Sequence, residues 1–272
     1  MALDAPDDAS WTEDAILGGR LRLLQPRRGH RFGHEAILLA AATNGEPGEH
    51  AVELGAGVGA AGLALAWRVP GLRMTLVEID AALADAARRN AQRNGLGERC
   101  PVVVADVAAP AAELAAAGLV PGGADRVLMN PPFRDPESRQ VSPDPHRRQA
   151  HSGGARTLAQ WAGVAARLLR ARGELTLIYP ADGLPAVLEV LAGAFGSVAV
   201  VPVHAKPDAP AIRVLVQATK DSRGPLTLLP AFILADADGH PTAQGEAVLR
   251  KGKPLRLGND AAVRKERVAI RR

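Results

Sequence analysis

Asn130-Pro131-Pro132-Phe133 is the segment of this 272-residue chain whose residue types are best suited to act together on a substrate. The asparagine side-chain carbonyl accepts one hydrogen of a planar amine and the backbone carbonyl of Pro131 accepts the other. The two prolines restrict the local backbone and hold both acceptors in place. Phe133 adds a face on which a flat base stacks, a contact worth about 1–3 kcal/mol. The chain has only three Trp, one Tyr and four Phe, so this ring is not readily dismissed as filler. A second group lies upstream. Gly55, Gly57 and Gly59 let the backbone turn tightly and admit a ligand with no Cβ in its way, and Glu78 is placed to accept hydrogen bonds from ribose hydroxyls. Gly57, Gly59 and Gly62 also satisfy G-x-G-x-x-G with Glu78 following at the customary distance, so a dinucleotide site competes on these residues alone.

The elements that must position these groups alternate in type. His50–Leu54 reads as a short buried strand, followed by the glycines and an alanine-rich helix over residues 60–69. Residues 74–77 form a second strand. A helix follows over residues 81–94, closed by Gly95. A strand over 101–105 ends at Asp106, a short helix covers 111–117, and a fourth strand over 126–129 delivers Asn130. Leu158, Trp161, Ala162, Ala165, Leu168 and Leu169 mark a helical stripe ending before Gly173, followed by strands over 174–179, 198–203 and 212–217 and a helix over 184–194 between the first two. Residues 226–235 add an edge element, and His34–Ala42 is the one convincing helix ahead of the first strand. The expectation is a Rossmann-like α/β fold, with a seven-stranded mostly parallel sheet and helices on both faces. It divides into an N-terminal extension (1–45), a core domain (46–235) and a basic C-terminal tail (236–272).

Charge and composition narrow the function classes. The net charge is +4, but Arg250–Arg272 holds nine basic and two acidic residues, leaving the rest of the chain slightly acidic. Two local basic patches remain in that body, Arg20–His34 and Arg139–His151. Phosphate contacts from such patches would position a nucleic acid without reading its sequence. One cysteine excludes an internal disulfide and argues against a cysteine-built metal site. The histidines are scattered, and no metal is expected. No apolar run approaches the ~20 residues of a membrane span and the acidic start lacks the order of a secretory signal, so a cytoplasmic protein is expected.

Glu53-Leu54-Gly55-Ala56-Gly57-Val58-Gly59, with Glu78 and Asp80 at the second strand and Asp106 after the third, resembles the class I S-adenosylmethionine-dependent methyltransferases. The resemblance implies S-adenosylmethionine as cofactor. Glu53 and the glycine loop would surround its methionine part, Glu78 would hold the ribose, Ile79 would press on the adenine, and Asp106 with Val107 would line it. Asparagine, two prolines and an aromatic are the signature of amino-group methyltransferases acting on adenine, guanine or protein glutamine. On that basis Asn130, Pro131, Pro132 and Phe133 are the catalytic candidates, with Asn130 also beside the cofactor.

A narrower likeness begins at Gly18-Gly19-Arg20-Leu21 and runs through Gly29-His30-Arg31-Phe32-Gly33-His34-Glu35, Asn94-Gly95 and Leu175-Thr176-Leu177-Ile178. These segments are similar to the small bacterial tRNA(Val) adenine-N6 methyltransferase family. The likeness implies RNA, tRNA in particular, as partner, and places Arg31 and Phe32 in the target pocket beside Phe133, with Arg139, Arg147 and Arg148 toward phosphate. His34 and Glu35 either touch the methionine end or cap a helix. Phe133 stands where the adenine enzymes often carry tyrosine, and phenylalanine is common in guanine-N2 enzymes of ribosomal RNA. Guanine-N2, glutamine-N5 and a non-catalytic RNA-binding module therefore stay open as alternatives.

Overall fold

The computed structural model describes residues 10–28, 31–132 and 155–257. Its first element was not anticipated. Trp11–Ile16 (β1) and Leu21–Pro26 (β2) pair antiparallel as a separate hairpin, from Trp11 opposite Pro26 to Ile16 opposite Leu21. Leu17 and two glycines, all at positive φ, make the turn. Leu21, Leu23 and Gln25 face inward on alternate positions, the half-buried pattern of a strand. His34–Ala42 (α1) follows. The carbonyls of Ala40 and Thr43 at its end accept from the Arg68 guanidinium, which satisfies groups the helix leaves open.

The core then runs His50–Leu54 (β3), Ala60–Arg68 (α2), Arg73–Glu78 (β4), Ala81–Arg93 (α3), Val102–Val104 (β5), Ala111–Ala116 (α4) and Ala124–Met129 (β6). Ala155–Leu168 (α5), Leu169–Pro180 (β7), Leu184–Leu191 (α6), Phe195–His204 (β8) and Ala211–Lys220 (β9) continue it. Thr227–Leu228 (β10), Phe232–Ile233 (β11) and Ala243–Leu249 (α7) complete the described elements. The sheet order is β10-β8-β9-β7-β6-β3-β4-β5, with β11 also on β8. All pairings are parallel except those of β9, which runs antiparallel to β7 and β8. The seven longer strands are the expected Rossmann-like sheet. The expected edge element resolves into two two-residue strands that extend it.

Period-two alternation divides the core between the two faces. Ala51, Met74, Leu76, Leu128 and Ile178 pack with α1, α2 and the hairpin, while Val52, Leu54, Val77, Val127 and Met129 pack with α5 and α6. The α5 stripe stops at Leu168, earlier than the sequence suggested, because Leu169 already pairs with Ala124 in the sheet. Residues 236–257, expected as the start of a tail, contribute to the packing: Val248 and Leu257 are buried and the Leu255 N–H donates to the Ala41 carbonyl at 2.7 Å.

Candidate active site

β3 and β6 are neighbours although β4 and β5 come between them in the chain, because the crossovers go to opposite sides from this point. In an open parallel sheet the crevice outside the carboxyl ends at that reversal is where ligands bind. Here it is a cavity of about 860 Å³, within the usual size of a cofactor or ligand site. Its walls include Glu53 near the end of β3 with Gly55 and Gly57 after it, Glu78 at the end of β4 with Ile79 after it, Asp106 and Val107 after β5, and Asn130 and Pro132 after β6. Tertiary pairing thus gathers residues from four strand ends.

The same alternation aims the two glutamates. Glu53 follows Ala51 by two residues and Glu78 follows Met74 by four, so both face the α1 and α2 side. The Gly62 N–H, in the first turn of α2, donates to Glu53 Oε2 at 2.7 Å. A Cβ on Gly62 would lie 2.6 Å from that oxygen and 2.4 Å from Leu76 Cδ2, so this glycine is required by close approach. Burial pushes the Glu53 carboxyl up to about 8, only partly opposed by the Gly62 hydrogen bond, and the nearby Glu78 charge adds to the rise.

Glu78 Oε2 accepts from the Gly57 N–H at 2.7 Å and Oε1 from the Asp80 N–H at 2.9 Å. Burial raises its pKa in spite of these donors. The pair of bonds fixes the carboxylate against the glycine loop and leaves acceptor capacity on a group that lines the cavity. Asp80 caps α3 by accepting from Ala82 and Leu83, which holds the β4 end. Ile79 is exposed and Val107 buried, both at the cavity wall, and Asp106 accepts from the Ala108 N–H.

Gly55 has φ +68°, and a Cβ there would lie 2.4 Å from Trp161 Cη2. The indole of α5 therefore closes the loop from the other face of the sheet. Trp161, with Thr157 and Gln160, lines the cavity; from sequence Trp161 read as one member of a core stripe. Its signal was a tryptophan in a chain holding three, placed one helix after the asparagine motif. Gly59 does not line the cavity: at φ +85° it caps the start of α2. Pro131 is buried and Asn130 and Pro132 are half-buried.

Arg31 and Phe32 line the cavity, together with Trp11, Arg27, Arg28 and Glu35. Arg31 is already engaged, donating to Asp14 Oδ2 at 2.8 Å, to Thr12 Oγ1 and to the Pro26 carbonyl. It ties the wall together. Glu35 pairs with Arg213 of β9. Phe133, Arg139, Arg147 and Arg148 lie outside the described residues. A turn brings ligand atoms of Asp236, Asp238 and His240 within 4.8 Å, away from the cavity, and backbone hydrogen bonds between 236 and 240 account for the arrangement. No helix among the described residues is long and apolar enough to cross a membrane.

The crevice and the sheet with its one antiparallel strand are those of a class I S-adenosylmethionine-dependent methyltransferase. A crystal structure of a predicted O-methyltransferase from Agrobacterium tumefaciens superposes with a TM-score of 0.69 at 26% identity, over 82% of this chain and 98% of that one. The methyltransferase small domain family matches residues 32–206, and the chain belongs to that family. It is 31% identical over 159 residues to a tRNA1(Val) (adenine(37)-N6)-methyltransferase of Porphyromonas gingivalis, covering 57% of this chain and 60% of that protein. It is 32% identical over 164 residues to a release factor glutamine methyltransferase of Chlorobaculum tepidum, covering 58% and 54%. The chain thus spans little more than half the length of these curated relatives.

Proposed function

We propose that this protein transfers a methyl group from S-adenosylmethionine to the exocyclic N6 amine of an adenine in RNA, with tRNA as the RNA class. The observation that carries the reading is that Asn130 and Pro132 share one cavity with Glu53, Gly55, Gly57 and Glu78. The bound cofactor supplies an electrophilic methyl on a cationic sulfur. Everything else is positioning by the chain. Glu78 holds the ribose with the acceptor capacity its two backbone bonds leave free, Ile79 and Val107 bracket the adenine with Asp106, and Glu53 faces the methionine part. Gly55 keeps the approach open below Trp161.

On the target side the Asn130 side-chain oxygen and the Pro131 carbonyl accept the two amine hydrogens. Accepting both draws the nitrogen lone pair out of conjugation and directs it toward the donor. As the new N–C bond forms, the bond from methyl to sulfur breaks; the methylated nitrogen then loses to water a proton made acidic by the transfer, so no strong base is required. Phe133 stacks on the base, Arg31 and Phe32 wall its pocket, and Arg139, Arg147 and Arg148 contact phosphate. Exposed Arg27 and Arg28 at the cavity edge support a polyanionic target. The relative from Porphyromonas gingivalis supports adenine as the base.

A glutamine amide presents the same planar NH2, and the relative from Chlorobaculum tepidum favours it as a second reading. One assay separates them: methyl transfer from labelled cofactor into tRNA and into purified release factor, followed by mass analysis of hydrolysed nucleosides and amino acids. N6-methyladenosine is expected. N2-methylguanosine or a methylated glutamine in its place refutes the proposal.

A further inference from the structure

Asn90 of α3 and Asn94 at its C-terminal cap replace a missing strand. Asn94 Oδ1 accepts from the Arg22 N–H at 3.0 Å and its Nδ2 donates to the Arg22 carbonyl at 2.8 Å. Asn90 Oδ1 accepts from the Leu24 N–H at 2.7 Å and its Nδ2 donates to the Leu24 carbonyl at 3.0 Å. Four helical residues, a little more than one turn, advance by about 6 Å. Two strand residues advance by nearly 7 Å, so side chains at i and i+4 of the helix meet alternate residues of β2. The otherwise open edge of the hairpin is thereby hydrogen-bonded to the domain.

The two asparagines then differ. Asn94 is half-buried and spends its remaining bond on the Asn90 carbonyl, one turn back. Asn90 is fully buried, and its second Nδ2 hydrogen goes to the Val58 carbonyl at 3.0 Å. Val58 belongs to the glycine loop and lines the cofactor cavity. The amide orientation is forced, since the reverse would set an oxygen against two carbonyls and a nitrogen against an N–H. With one hydrogen on Leu24 and one on Val58, the loop cannot shift without breaking a buried hydrogen bond or moving β2.

β2 in turn builds the target-side wall. Gln25, buried beside Leu24, accepts the Phe32 N–H on Oε1 and donates from Nε2 to Asp14 Oδ2 at 2.7 Å. The same Asp14 oxygen receives Arg31. Phe32 and Arg31 are therefore held by the strand that Asn90 holds.

We propose that Asn90 is a positioning residue that couples the glycine loop at the cofactor end to the β1–β2 hairpin and, through it, to the Arg31–Phe32 wall of the target pocket. Coupling of this kind is reciprocal: a ligand that stiffens the loop must protect the hairpin. The inference rests on cofactor binding at the glycine loop, and calorimetry with S-adenosylhomocysteine checks that separately.

Amide hydrogen exchange along β1 and β2, with and without saturating S-adenosylhomocysteine, is the test. In the unaltered protein the ligand is expected to slow hairpin exchange at least about fivefold, the lower end of ordinary coupling. Asn90→Ala abolishes the slowing and raises KM for both cofactor and target. Asn94→Ala loosens the same strand but keeps the slowing and the cofactor KM. Should Asn90→Ala not fold, Asn90→Asp serves, because it keeps an acceptor for Leu24 and loses both donors. Calorimetric binding with hairpin exchange unchanged in the unaltered protein overturns the coupling, as does slowing that survives in Asn90→Ala or Asn90→Asp. An absence of calorimetric binding refutes the cofactor assignment on which the coupling depends, and with it the coupling.

Discussion

Replacing Glu53 by glutamine removes one titrating group and little else. Glutamine keeps the size of the side chain and an oxygen for the Gly62 N–H. In the unaltered protein burial lifts this carboxyl from an ordinary 4.5 to about 8. Between those values the folded state holds a proton that the unfolded chain releases. The stability tied to that proton is complete below pH 4.5 and is lost as pH rises to about 8, with a limiting slope of about 1.4 kcal/mol per pH unit. From pH 5 to pH 8 the loss amounts to about 3–4 kcal/mol, a large share of the ~5–15 kcal/mol that ordinarily separates folded from unfolded chains. Glu78 is shifted in the same direction and titrates in both proteins, so the difference between them reports Glu53 together with its coupling to Glu78. Urea unfolding at half-unit pH steps, with fixed ionic strength, gives both curves. Glu53→Gln is expected to lose the steep fall, becoming the more stable protein toward pH 8. Parallel curves for the two proteins between pH 5 and pH 8 would refute a protonated, buried Glu53.

Asn130→Ala should lower kcat by about 10²–10³, the usual effect of deleting one oriented transition-state partner, with the calorimetric affinity for S-adenosylhomocysteine changed less than about threefold. Gly62→Ala, forced against Leu76 and the Glu53 carboxylate, should destabilise by about 1–3 kcal/mol and weaken cofactor binding, read by urea unfolding and calorimetry. Gly55→Ala meets the Trp161 indole from a left-handed backbone, and intrinsic tryptophan fluorescence should report the displaced ring. Arg126 joins Glu49 through two nitrogens and also binds Glu174, all largely buried; Arg126→Ala leaves two carboxylates facing each other and should cost about 3–5 kcal/mol in urea unfolding.

The alternating elements were legible because hydrophobic period and punctuation by glycine are local properties. His34–Ala42 and His50–Leu54 match the structure to the residue, and Gly95 takes the left-handed position its place after α3 implied. The hairpin β1–β2 was not legible. Its outer strand is polar, its turn uses Leu17 at positive φ, and its partner along one edge is a pair of asparagine side chains 66 and 72 residues away. Residues 236–257 misled for a related reason: a few apolar residues, Val248, Leu255 and Leu257, bury themselves against α1 within a segment whose composition is otherwise that of a solvated tail.

The sequence by itself determined which residues are candidates for the chemistry: an asparagine backed by prolines at one strand end, glycines and acids at three others. Residue type and local backbone stiffness are written along the chain, and so is the order of strands and helices. Only the tertiary structure decided that these ends form one cavity, because adjacency of β3 and β6 depends on which way each crossover turns. It also decided that Glu53 is buried enough to hold a proton, that Trp161 closes the loop at Gly55, and that Arg31 is held by Asp14. Those are properties of distance and desolvation between residues far apart in sequence, and neither is fixed until the sheet assembles.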